Sequence, residues 1–133
     1  MKIEKLTELA TKNVTDIVSI ALEHTSSHKA IVIYDTKTEL ARILVSAYRN
    51  VLPDALFLDF HSLTKEEIIT HFDSLSSRDL VVLIQSTDFR LNEFRIRIYL
   101  FQKKLKVIDH LHLTRNTEDS WQTYINALAY DID

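Results

Sequence analysis

The spacing of apolar positions changes period several times along the chain, and each change marks an element. Ile3, Leu6, Leu9, Ala10, Val14, Ile17, Val18, Ala21 and Leu22 recur at intervals of three and four, which predicts a helix over 3–24 with one apolar face. Thr25 to His28 form a polar joint. The run AIVIYD, residues 30–35, is short, continuous and β-branched, as in a strand buried on both faces. Thr36 or Thr38 then caps a helix reaching about Arg49, with Leu40, Ile43, Leu44, Ala47 and Tyr48 as its stripe. Asn50 offers a left-handed stop, and Pro53 blocks continuation.

The unit repeats. ALFLDFH, residues 55–61, reads as a second strand. Ser62 or Thr64, followed by Glu66 and Glu67, makes an acidic helix start, and Ile68, Ile69, Phe72 and Leu75 supply the buried side. LVVLIQS, residues 80–86, is the strongest strand, and KVIDHLHL, residues 106–113, is a fourth. Residues 118–130 form a last helix carrying Trp121, Tyr124, Ile125 and Leu128. Residues 89–105 fit both periods, and the helical one is preferred because two parallel strands need a crossover of about this length.

A helix followed by strand–helix pairs predicts an α/β fold with a mostly parallel sheet. Right-handed crossovers and double winding favour the strand order 2-1-3-4, a three-layer, Rossmann-like or flavodoxin-like sheet of about four strands with an extra amino-terminal helix. Residues 1–133 read as one such domain, with no internal linker or repeat.

Composition narrows the chemistry. The chain has no glycine, so the P-loop and the Gly-x-Gly-x-x-Gly dinucleotide fingerprint are excluded, because both need backbone that only glycine permits. It has no cysteine, which removes disulfides, thiolate metal sites and cysteine nucleophiles and suits a cytoplasmic location. A net charge of −3 is not the footprint of a nucleic-acid binder. No apolar run approaches the ~18 residues of a membrane span, and the mixed-charge start is not a secretory signal. Neither nucleic acid nor membrane is therefore expected as a partner.

In doubly wound sheets ligands bind beyond the carboxyl ends of the strands, near the switch point. That rule picks out Asp35, Thr36 and Lys37 after the first strand and Gln85, Ser86, Thr87 and Asp88 after the third. With Arg90 standing closest to the strand-three edge, the six residues Asp35, Thr36, Gln85, Ser86, Thr87 and Arg90 are selected as an edge suited to a small anionic or peptide ligand. Arg90 would supply the forked contact. The same hydroxyls and carboxylates also serve simply as helix caps. His110 and His112 share one face of the fourth strand, but Asp109 points the other way. His61 lies three strand spacings off, roughly 14 Å, so it cannot share an ion with them, and unless Asp88 or a residue beyond this chain completes the set the pair is not a metal site. Ser86 lacks the glycine neighbours of a nucleophile turn, and Gln85 and Ser86 stand where a phosphorylated receiver domain needs aspartate. Phe94, Arg95, Arg97, Tyr99 and Phe101 form a candidate interface with another domain or a second copy of the chain.

The stretch LVVLIQSTDFRLNEFRIRIYLFQKKLKVIDHLHL, Leu80 to Leu113, with TYINALAYD, Thr123 to Asp131, resembles the amino-terminal region of bacterial leucyl aminopeptidase-like proteins. These are relatives of the aminopeptidase T and aminopeptidase S metallo-exopeptidases. The similarity extends over about 30–133, and YDTKTELARIL and QSTDFR are its most specific parts. It implies a longer, two-domain enzyme whose paired-metal ligands lie in a carboxyl-terminal domain. None of those ligands maps onto this chain, so the resemblance implies no catalytic residue here, no cofactor in this chain, and a divalent metal only in a further catalytic domain. The implied role is non-catalytic, in substrate enclosure or domain packing. A stand-alone module binding a small anion at the strand edge and a purely structural or oligomer-forming domain are the alternatives.

Overall fold

The computed structural model describes residues 2–21, 24–25, 28–86, 104–110 and 113–128. Four strands, β1 (Ala30–Tyr34), β2 (Leu56–Asp59), β3 (Leu80–Ile84) and β4 (Lys106–His110), form an all-parallel sheet in the order β2-β1-β3-β4. The register sets Ile31 beside Leu56 and Val81, and Ile84 beside His110. This is the α/β architecture and strand order that the periodicity predicts.

Alternation along each strand splits the core into two layers. Val32, Leu80, Val82 and Ile84 face α1 (Lys2–Asp16), α2 (Glu39–Val51) and α4 (Trp121–Ala127). Ile31, Ile33, Val81 and Leu83 face α3 (Lys65–Asp73) through Ile68 and Phe72. All five β3 positions are buried, which explains why its sequence is uniformly apolar where β2, at the sheet edge, is mixed. Burying each such Leu or Ile contributes about 1.5–3 kcal/mol. Asn13 Nδ2 donates to the carbonyl of Ile125 at 2.9 Å and ties α1 to α4. No described helix is long and apolar enough to cross a membrane.

Of the two threonines offered as a cap for α2, Thr38 takes the position, accepting from Ala41 N–H at 3.1 Å. Thr64 caps α3 in a reciprocal box with Glu67, rather than Ser62, which sits in a short 3-10 turn. The first helix is shorter than its apolar spacing suggests. Its α-helical part ends at Asp16 and continues as a π-turn, Ile17–Ala21. Along that helix Thr7, Thr11, Thr15 and Ser19 each donate to the carbonyl four residues earlier, at 2.7–2.8 Å. Such back-bonding weakens and bends a helix, and the wider turn follows directly after it. The fourth strand is described over Lys106–His110, and Leu113, placed in the strand by its sequence, begins a 3-10 turn instead. The last helix opens as a 3-10 turn over Glu118–Ser120 before α4. Residues 89–103 lie outside the described region.

Asn50 does not stop α2. The helix runs through Val51, and Asn50 Nδ2 instead donates to Thr11 Oγ1 at 3.3 Å. Among the described residues the left-handed region is held by Arg78 (φ 74°) and Lys104 (φ 59°), and Arg78 N–H donates to the Lys104 carbonyl at 3.1 Å. A residue with a Cβ holds that conformation at a cost of roughly 1–2 kcal/mol, partly offset in glycine by its larger chain entropy. Arg78→Gly is therefore expected to stabilise the protein by up to ~1 kcal/mol, read as a higher urea midpoint at unchanged slope.

Candidate functional site

The carboxyl ends of β1 and β3 meet at Asp35 and Ser86, and both are fully buried. Asp35 lies one residue past β1, and its carboxylate bridges two segments. Oδ2 accepts from Ser86 N–H at 2.8 Å, and Oδ1 accepts from Lys37 N–H at 3.1 Å. Its own N–H continues the ladder by donating to the Ile84 carbonyl at 3.2 Å. Ser86 Oγ lies 2.9 Å from Thr38 Oγ1, so the cap of α2 is hydrogen-bonded to the end of β3. Gln85, also buried, donates through Nε2 to Asp109 Oδ1 at 2.6 Å, joining β3 to β4 on the α3 side. Leu113 N–H and Thr114 N–H then donate to the carbonyls of Gln85 and Ser86.

The structure thus brings together three of the six residues selected at this edge, Asp35, Gln85 and Ser86, and turns all three inward. Thr36 is exposed, and its carbonyl accepts from Arg42 Nη1 at 2.5 Å. Thr87 and Arg90 lie outside the described residues, as do Phe94, Arg95, Arg97, Tyr99 and Phe101 of the candidate interface and His112. The bonds of Asp35 are those of a latch.

Asp79 builds a matching latch at the opposite end of the sheet. It is 4% exposed; Oδ1 accepts from Lys29 N–H at 2.9 Å and Oδ2 from Ser76 N–H at 2.7 Å. Its carbonyl accepts from Lys106 N–H, so one residue joins the starts of β1, β3 and β4. His28 Nδ1 stands 3.7 Å from Oδ1.

His110 occupies the end of β4 and points into the layer shared by α2 and α4. Its Nε2 lies 2.7 Å from the Tyr48 hydroxyl and its Nδ1 2.7 Å from that of Tyr124. Burial, with no charged partner, lowers its pKa to about 4, so the ring is neutral at pH 7. A neutral imidazole has one donor and one acceptor, so one tyrosine donates and the other accepts. Burial pushes both phenols up, Tyr124 to about 12 with help from Asp109. Sequence reasoning paired His110 with His112 and missed both tyrosines. The available signal was Tyr48 on the apolar stripe of α2, because a buried hydroxyl needs a polar partner.

Compared with models of protein families, with curated proteins and with solved structures, the chain matches none. Among the described residues no three His, Asp or Glu side chains gather as they would around a metal ion. The chemistry within reach at the carboxyl edge is cross-linking of elements.

A concavity lies at the other end of the sheet. It measures about 590 Å³ and sits beneath the amino ends of β1 and β2, against the π-turn and the ends of α2 and α3. Sequence reasoning treated Thr25 to His28 as a joint, because nothing in a local pattern shows that three element ends converge there.

Proposed function

We propose that this chain is a non-catalytic α/β domain of an aminopeptidase-like protein, serving to enclose substrate or to pack against a catalytic domain. The observation that carries this reading is the inward commitment of Asp35, Gln85 and Ser86, three of the described polar side chains where such sheets ordinarily hold their chemistry. The resemblance through Leu80–Leu113 and Thr123–Asp131 supplies the class of protein. On this reading a divalent metal and the reacting groups belong to another domain, and the aromatic–arginine segment, residues 94–101, is its docking element.

The test uses the purified chain of 133 residues with leucine and alanine anilides, with and without zinc or cobalt. No turnover above buffer is expected under either condition. Turnover that rises with metal and disappears in His110→Phe would overturn the reading, since His110 would then take part in chemistry.

A further inference from the structure

The Tyr48–His110–Tyr124 chain has a direction, and burial sets it. Tyr48 is fully enclosed on α2, and among the described residues its hydroxyl meets only His110 Nε2, at 2.7 Å. Were the ring proton on Nε2, the Tyr48 hydrogen would be enclosed without an acceptor, a costly arrangement. Tyr48 O–H therefore donates to Nε2, and the ring proton stands on Nδ1. Nδ1–H in turn donates to the Tyr124 hydroxyl oxygen, 2.7 Å away. Tyr124 is only half-buried, so water can take its hydrogen.

The two tyrosines belong to elements of unequal strength. α2 has thirteen residues, a side-chain cap at Thr38 and seven buried positions. α4 has seven residues, one of them buried, and Ser120 at its start makes no side-chain cap bond. A helix that short does not hold itself together in water. Packing of Trp121, Tyr124, Ile125 and Leu128 holds it to the body, with the Asn13–Ile125 and Tyr124–His110 bonds. The Lys2–Glu118 pair ahead of it is exposed.

Burial, not a neighbouring charge, keeps the His110 ring neutral. From α2 and α4 the titratable groups facing it are the two phenols, and β3 sets apolar Ile84 beside it. Asp109, the preceding residue of β4, turns to the other layer and accepts from Gln85 Nε2, while its charge reaches Tyr124. α1 contributes the uncharged amide of Asn13, which is bonded to Ile125. A proton arriving on Nε2 meets the Tyr48 hydrogen across a 2.7 Å gap, donor against donor. The ring has to withdraw from Tyr48, and α4 is the neighbour that yields.

We propose that this chain is an acid-operated clasp on α4: protonation of His110 frees α4 from the body while the sheet, α1 and α2 stay folded. With α4 released, the imidazolium and the Tyr124 hydroxyl both reach water, and Tyr48 remains as the fixed half of the clasp.

Two NMR measurements on the full chain test this. The ring-nitrogen shifts of His110 at pH 7 report the tautomer, and Nδ1–H is expected. Amide hydrogen exchange between pH 7 and pH 5, corrected for the intrinsic rate at each pH, reports opening. Ile125 and Ala127 should be less protected than Val82 and Ile84 at every pH, because α4 opens without the sheet. Their protection should also fall towards acid, by up to about tenfold per pH unit below ~6.5, because each opening takes up one proton. In His110→Phe that dependence on pH should vanish from α4. Tyr124→Phe removes the outer hydroxyl and leaves the enclosed bond in place, so the claim does not rest on a core substitution. It should keep the Nδ1–H tautomer and lower α4 protection severalfold. An Nε2–H ring in the native chain, α4 amides as protected as those of β3, or α4 protection independent of pH would each overturn the proposal.

Discussion

Asp35→Ala is expected to lower the unfolding free energy by about 2–4 kcal/mol. The substitution removes the acceptor of two backbone N–H groups, and hydrogen bonds to a charged group contribute about 1.5–3 kcal/mol each. The two losses are unequal. Ser86 is fully buried, so its N–H is left without water or protein partner, whereas Lys37 is exposed and its N–H regains water. Asp35→Asn keeps one carbonyl acceptor but faces the other donor with an amide NH₂, so it falls between the native protein and the alanine variant. Urea denaturation of the three proteins gives the comparison, with the slope unchanged if the native fold is retained. An alanine variant within about 0.5 kcal/mol of the native protein would mean that Asp35 is free for a ligand, as its place at the switch point suggests.

Acid should weaken the protein through His110 by about 3 kcal/mol. The ring has a pKa of about 4 when folded and an ordinary value of 6.5 when unfolded, so the unfolded chain binds the extra proton first. The stability held by the neutral ring is complete above pH ~6.5 and is lost progressively as the pH falls towards ~4. The geometry explains why the charged form is resisted. A protonated ring has two donors, so both tyrosines must accept, and the hydroxyl hydrogen of the enclosed Tyr48 then needs a new acceptor. His24, lowered in the same direction, adds to the effect. His110→Phe removes the larger part of the pH dependence, at a constant cost of about 1–3 kcal/mol for the tyrosine hydroxyls left behind. Urea midpoints between pH 7 and pH 4 for both proteins check this. A native protein whose stability is flat over that range would contradict a neutral, enclosed His110.

Much of the fold was legible in the sequence because its signals are local and repeated. The uniform apolarity of residues 80–84 announces a central parallel strand, and the Thr64–Glu67 pair announces a helix start. Elements were overextended where hydrophobic spacing persists but hydrogen bonding changes. Ile17, Val18 and Ala21 keep a helical spacing, yet the chain of Thr and Ser back-bonds leads into a π-turn. Asn50 was the residue best suited by type to a left-handed stop, but among the described residues the left-handed positions fell to Arg78 and Lys104, whose types give no hint of it.

The candidate site was legible only as a location. The switch-point rule finds Asp35 and Ser86, and it cannot say whether their polar atoms face a ligand or each other. That depends on register: pairing Tyr34 with Ile84 brings the Asp35 carboxylate to Ser86 N–H. The Tyr48–His110–Tyr124 chain depends on packing between residues up to 76 positions apart in a 133-residue chain, and the amino-edge cavity on the meeting of three element ends. Neither leaves a periodic trace.

Among the described residues, Asp35, Gln85 and Ser86 close the carboxyl edge of the sheet through hydrogen bonds within the fold. Amide hydrogen exchange at Ser86 in the native chain tests it most directly. If Asp35 holds that N–H as a latch inside the core, Ser86 exchanges only with global unfolding and matches the β3 amides of Val82 and Ile84. Exchange at the rate of an exposed loop, with Val82 and Ile84 still protected, would contradict the account and return this edge to the status of a candidate ligand site.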